Sequence, residues 1–111
     1  MTTKNLHLIT EFNAKPYGRY PIPDGDGCGE NFRKMLVDYL NKYERVHVEL
    51  TGYNRYGRSF IDEAFGGLIR VSGFSLSELK NRLTYSHKDI KSIEVLIKER
   101  MEKAANDTAK Y

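Results

Sequence analysis

In the stretch "NRYGRSFIDEAFGGLIRV", residues 54–71, Ser59 stands close to Asp62 and Glu63, and a hydroxyl near carboxylates invites a test for nucleophilic chemistry. A serine nucleophile needs a base within hydrogen-bond reach and an acid that orients the base. His7, His47 and His87 are far apart in sequence, and no recognisable motif ties any of them to Ser59. The surroundings also lack the G-x-S-x-G elbow. Asp62 and Glu63 are adjacent, so on a helix they point about 100° apart and are poorly placed to act together on one substrate. A helix start explains the same residues with less. Ser59 is expected as the N-cap, with Asp62 three residues on as an acidic variant of the capping box. The second reading is a phosphate acceptor. Helix N–H groups favour phosphate, and Arg55 and Arg58 can pair with it, whereas Asp62 and Glu63 repel it. Both carboxylates suit the helix dipole; the sharper reading of Glu63 is a fixed negative charge toward a partner.

"DGDGCGE", residues 24–30, has the look of a ligand loop. As a calcium loop it has Asp24, Asp26 and Gly29 in register, but Cys28 replaces an oxygen ligand and Met35 stands where a bidentate glutamate belongs. As a phosphate cradle its glycines are spaced by two, unlike G-x-G-x-x-G, and carboxylates surround them. A turn into a helix that starts near Glu30 is the expectation, with Asp26, Glu30 and Arg33 available to a partner. Cys28 is the one cysteine, which excludes an internal disulfide and a thiolate cluster. Tyr53, Arg55, Tyr56 and Arg58 interleave aromatics with guanidiniums. Single-stranded nucleic-acid sites and protein hot spots share that composition.

These residues need a frame to hold them. The 111-residue chain has room for one domain, residues 1–111, at 40% apolar and 30% charged residues. A formal charge of +3 permits a nucleic-acid partner without pointing to one. The N-terminus lacks a signal-peptide pattern, so a cytoplasmic location is expected. "NLHLITEF" reads as a strand, and 13–29 as a long loop with an extended piece around Arg19 to Ile22. Phe32, Met35, Leu36, Tyr39, Leu40 and Tyr43 form a helical stripe. "RVHVEL" alternates as a strand, leaving His47 and Glu49 on its second face. A helix carries Phe60, Ala64, Phe65, Leu68 and Ile69, with Gly66 and Gly67 expected to let it approach a strand. Ser75 with Glu78 opens a short helix, "RLTYS" is a strand, and a last helix runs from Asp89 to about Ala105, with 106–111 frayed. This alternation predicts an α/β fold: a small mixed sheet of about four strands flanked by helices.

The blocks "YGRYPIPDGDGCGENFRKML", "VHVELTG" and "GRSFIDEAFGGL" resemble the STAS-like family of unknown function, relatives of the anti-sigma-factor antagonists. The resemblance spans about Phe12 to Leu68. It implies a STAS-like sheet used for regulated protein binding, without catalysis or cofactor, and a partner of the histidine-kinase-like ATPase type. In the antagonists, an aspartate directly precedes a phosphorylated hydroxyl at a helix start. Laying Asp62 on that aspartate puts Glu63 and Ala64 at the hydroxyl positions, which leaves Ser59 as the candidate phosphoacceptor. The expected partner surface is Tyr53, Arg55, Tyr56, Arg58, Ser59, Asp62 and Glu63, joined by Asp26, Glu30 and Arg33. The alternative is a nucleic-acid-associated accessory or defence-related protein that uses Arg55, Arg58, Lys15, Arg19 and Arg33.

Overall fold

In the computed structural model, which describes residues 2–109, three parallel strands lie in the order β1–β2–β3. They are β1 (Thr3–His7), β2 (Arg45–Glu49) and β3 (Leu83–Ser86). The register sets Leu6 beside Val48 and Val46 beside Leu83. Alternation along each strand turns these four side chains to one face, where all are buried. The other face carries Asn5, His47 and Thr84 in one row, and His7, Glu49 and Ser86 in the next.

Among the described residues eight helical segments, seven α and one π, accompany the sheet. Two are single turns, α1 (Leu8–Glu11) and α2 (Pro21–Asp24). The long α3 (Gly29–Lys42) buries Phe32, Arg33, Leu36 and Leu40. A continuous helical stretch follows β2: α4 (Arg58–Ile61), a π-helical segment (Asp62–Gly66) and α5 (Gly67–Arg70). Then come α6 (Leu76–Arg82) and α7 (Lys91–Ala109). The π segment sits between α3 and α7, and its Phe65 ring lies 6.0 Å from that of Phe32. Ser75 caps α6 as expected, its hydroxyl accepting the Glu78 N–H at 3.0 Å.

The expected sheet of about four strands in mixed directions has three, all parallel. Each connection between strands carries helices, which return the chain to the same end of the sheet. The piece around Arg19 to Ile22 joins no strand. Its backbone turns on Asp24, whose Oδ2 accepts the N–H groups of Arg19 at 2.8 Å and Tyr20 at 3.3 Å. The first strand stops at His7, and the following "LITE" is a helical turn closed by the Phe12 N–H on the Leu8 carbonyl. The last helix continues four residues beyond Ala105 to Ala109, so 106–109 are helical; Lys110 and Tyr111 of the expected frayed tail lie outside the described residues.

Candidate functional site

The helix after β2 begins two residues earlier than the sequence suggests. Gly57 is the N-cap, with extended φ −86° and ψ 158°, and Arg58 is already helical. Ser59 is therefore inside the first turn, exposed, and makes no capping hydrogen bond. The expected Ser59–Asp62 capping box does not form, because its serine sits two residues past the cap and its aspartate is engaged elsewhere.

Asp62 is held by three guanidiniums from three parts of the chain. Arg19 Nη1 reaches Oδ2 at 2.8 Å, Arg70 Nη2 reaches Oδ2 at 2.9 Å, and Arg100 Nε reaches Oδ1 at 3.0 Å. Glu63 accepts from Arg19 Nη1 at 3.2 Å and from Arg33. Arg33 also donates to the Glu63 backbone carbonyl at 3.1 Å. Arg19 thus bridges two adjacent carboxylates that an α-helix was expected to splay apart. Burial alone would raise the Asp62 carboxyl. Hydrogen bonds from Arg19 and Arg70, with the charges of Arg70 and Arg100, outweigh it and hold the group below its ordinary range. Asp62, Glu63 and Arg33 are all buried.

The glycine pair serves this cluster rather than a strand contact. A Cβ at Gly67 would lie 2.5 Å from Arg33 Nη1, and one at Gly66 would lie 2.9 Å from Arg70 Nη1. Two small residues therefore leave space beside the carboxylates for guanidiniums. Gly29 plays a related part at the start of α3, where a Cβ would meet the Phe60 carbonyl oxygen at 2.7 Å.

Of the expected surface residues, several turn inward. Tyr56 is buried and donates its hydroxyl to the Leu50 carbonyl at 2.8 Å; burial pushes that hydroxyl up. Tyr53 is half-buried, its ring edge-on to Tyr56 at 5.3 Å. Asp62, Glu63 and Arg33 belong to the buried cluster, so Glu63 is a charge spent within the chain. Arg55, Arg58, Ser59 and Asp26 are exposed, and Glu30 is half-buried beside Lys34 at 3.2 Å. Among the described residues no ion pair engages Arg55 or Arg58. Arg58 and Ser59 line a cavity of about 260 Å³ together with Tyr17, Arg19 and Asp24. Residues of the 13–29 loop and of the helix start thus line one cavity.

The ligand-loop readings resolve into turn structure. Asp24 is occupied by backbone N–H groups, and Cys28 is buried as the N-cap of α3. Among the described residues no three His, Cys, Asp or Glu side chains group as a metal site. Among the described residues no histidine shares a hydrogen bond with Ser59. His87 is buried, with Nε2 2.8 Å from the Tyr53 carbonyl and Nδ1 facing the N–H groups of Asp89 and Ile90, each at 3.1 Å. His47 lies on the second sheet face between Thr84 at 2.7 Å and Ser86 at 2.9 Å, and Ser86 donates to Glu49 at 2.9 Å. Thr51 donates to the same carboxylate, so this polar row is satisfied by hydroxyls. Burial would raise Glu49, but bonds from Thr51 and Ser86 outweigh it and lower the group.

Sequence reasoning missed the arginines Arg70 and Arg100, which approach Asp62 only through the π segment and the docking of α7. It also passed over Tyr17, Tyr20 and Ile22, which are exposed. Large apolar residues inside a Pro- and Gly-rich loop, with no periodic partners, were the available signal.

A family model described as a STAS-like domain of unknown function (DUF4325) matches residues 29–89. The match begins at the first residue of α3 and runs past β3, so it takes in the buried Arg33–Glu63 pair and the start of α4. No curated protein and no solved structure matches the chain. No helix among the described residues is long and apolar enough to cross a membrane.

Proposed function

The chain belongs to the STAS-like family of unknown function, and we propose that it works as a non-catalytic, regulatory protein-binding module resembling an anti-sigma-factor antagonist. One observation carries this reading. Arg58 and Ser59 stand exposed at the start of a helix whose next residues are locked in the core, and Arg58 has no ion pair among the described residues. Such a surface combines unspent charge with a rigid support, which suits partner recognition more than chemistry. The binding surface comprises Arg55, Arg58 and Ser59 with the neighbouring loop that holds Asp26. The resemblance to the antagonists supports a histidine-kinase-like ATPase as partner class and a cytoplasmic setting.

Pull-down from the host cytoplasm tests the surface. Arg58→Glu is expected to lose the specific partner that the wild-type chain retains, and retention of every specific partner would count against it. Ser59 is the candidate phosphoacceptor of the same surface. Because Glu63 and Ala64 occupy the antagonist hydroxyl positions, Ser59→Asp is expected to change partner affinity by less than about tenfold, or about 1.4 kcal/mol. A larger loss, with phosphate found on Ser59 in protein from its host, would establish a phospho-switch instead.

The nucleic-acid reading keeps Lys15, Arg55 and Arg58, which are exposed. Arg19 and Arg33 are committed to Asp62 and Glu63, which removes two of its five cations. Absence of binding to RNA or DNA at about 50 mM salt, where phosphate contacts are strongest, would remove this reading.

A further inference from the structure

We propose that Ile22, flanked by Tyr17 and Tyr20, is the anchor with which this surface grips its partner, and that the partner is a protein presenting an apolar cleft rimmed by carboxylates. This rests on the protein-binding reading above and names the side chains and partner chemistry which that reading leaves open.

Single exposed apolar residues are ordinary on protein surfaces. Three large ones within one short loop are less so: Ile22 is 89% exposed, Tyr17 65% and Tyr20 46%. Ile22 is extended (φ −120°, ψ 116°) between Pro21 and Pro23, whose rings restrict their own φ angles. The loop is also tied down on both sides of this tip. Tyr17 N–H donates to the Gly27 carbonyl at 2.9 Å, Gly29 N–H to Gly18 at 2.9 Å, and Glu30 N–H to Arg19 at 3.0 Å. The Arg19 side chain, two residues from Tyr17, is fixed at 2.8 Å to Asp62. A hydrophobic tip held this way loses little conformational freedom when it is buried, which is what makes an anchor effective.

Charge selects the partner's rim. Arg58 lines the same cavity as Tyr17 and Asp24, and neither it nor Arg55 has a carboxylate partner among the described residues. The carboxylate of Asp24 is already taken by backbone N–H groups. Asp26 is the exposed carboxylate of the loop, against exposed Lys15, Arg55 and Arg58. A projecting apolar residue calls for a concave receptor, and the unpaired guanidiniums call for Asp or Glu around it.

The test uses the full chain and the partner that it recovers from its host, purified and titrated. Ile22→Asp and Arg58→Glu are compared with the wild type, each first shown to unfold at the wild-type midpoint. The expected result is a loss of about tenfold or more in affinity for both variants, with wild-type affinity falling as salt rises. A photo-crosslinker at position 22 is expected to mark apolar partner residues flanked by Asp or Glu. Wild-type affinity in Ile22→Asp alongside loss in Arg58→Glu overturns the anchor and leaves the binding reading intact. Recovery of no specific partner by the wild-type chain overturns both. Ile22-dependent adsorption to phosphatidylglycerol vesicles, or Ile22-dependent self-association in sedimentation, overturns the assignment of an acidic-rimmed protein cleft.

Discussion

Arg58 and Asp62 are four residues apart on one helical stretch, yet one belongs to a surface with unspent charge and the other to a buried knot of charges. Around Asp62 and Glu63 every carboxylate is answered by guanidiniums from the loop, from α3, from the helix itself or from α7. Around Arg58 and Ser59 the chain supplies no answering charge among the described residues. The first region joins three distant segments of the fold, and the second leaves the Arg58 guanidinium exposed and without an ion pair among the described residues. A third polar region, the His47–Ser86–Glu49 row on the open sheet face, is exposed in part but already hydrogen-bonded to itself. Parallel sheets are usually covered on both faces, and this hydroxyl-rich row is what lets one face meet water.

Cutting the buried side is expected to have the largest effect. Arg33→Ala leaves Glu63 buried with only the bridging Arg19, and is expected to cost about 3–5 kcal/mol in denaturant unfolding. The double change Arg33→Met with Glu63→Leu removes both charges and is expected to recover much of that loss. A cost below about 1 kcal/mol for the single variant would mean that the pair is solvated in solution.

Acid sharpens the same contrast. Asp62 is depressed in the fold, so its contribution is fully present above the unfolded carboxyl value of about 3.9 and is lost as pH falls through the depressed folded value. Unfolding midpoints measured down that range should fall, and more gently in Asp62→Asn. Identical acid profiles for the two proteins would show that Asp62 does not carry the linkage.

The smallest expected effects separate two serines that look alike in sequence. Ser75→Ala should cost about 1 kcal/mol, because its hydroxyl caps α6. Ser59→Ala should stay within about 0.5 kcal/mol, because Gly57 is the cap and the Ser59 hydroxyl is exposed. Equal costs in thermal or denaturant unfolding would return Ser59 to a capping role.

That pair of serines also marks how far the sequence could be read. Both are followed by an acidic residue three positions on, and pattern alone cannot tell that Asp62 is drawn away by arginines at positions 19, 70 and 100. Periodicity did locate α3, β2, the helix around Phe60 to Ile69 and α7, because each buries a stripe against the same core, while α6 was legible from its Ser75–Glu78 cap. It could not count strands, since the 13–29 loop is rich in turn residues yet satisfies its backbone through Asp24 and the start of α3. The π segment was invisible for a similar reason: it answers to partners far along the chain. Exposed Arg58 and Ser59 were legible as candidates; the burial of Tyr56, Arg33, Asp62 and Glu63 was not, because charged and phenolic side chains go inward only when distant donors and acceptors receive them.

Hydrogen exchange of the complex with the recovered partner tests the division most directly. Slowed exchange is expected at backbone amides of residues 17–25 and 54–59, with residues 45–49 and 84–86 unchanged by binding. Protection centred on the open sheet face, with the loop and helix start exchanging as in the free protein, would contradict the assignment of the binding surface.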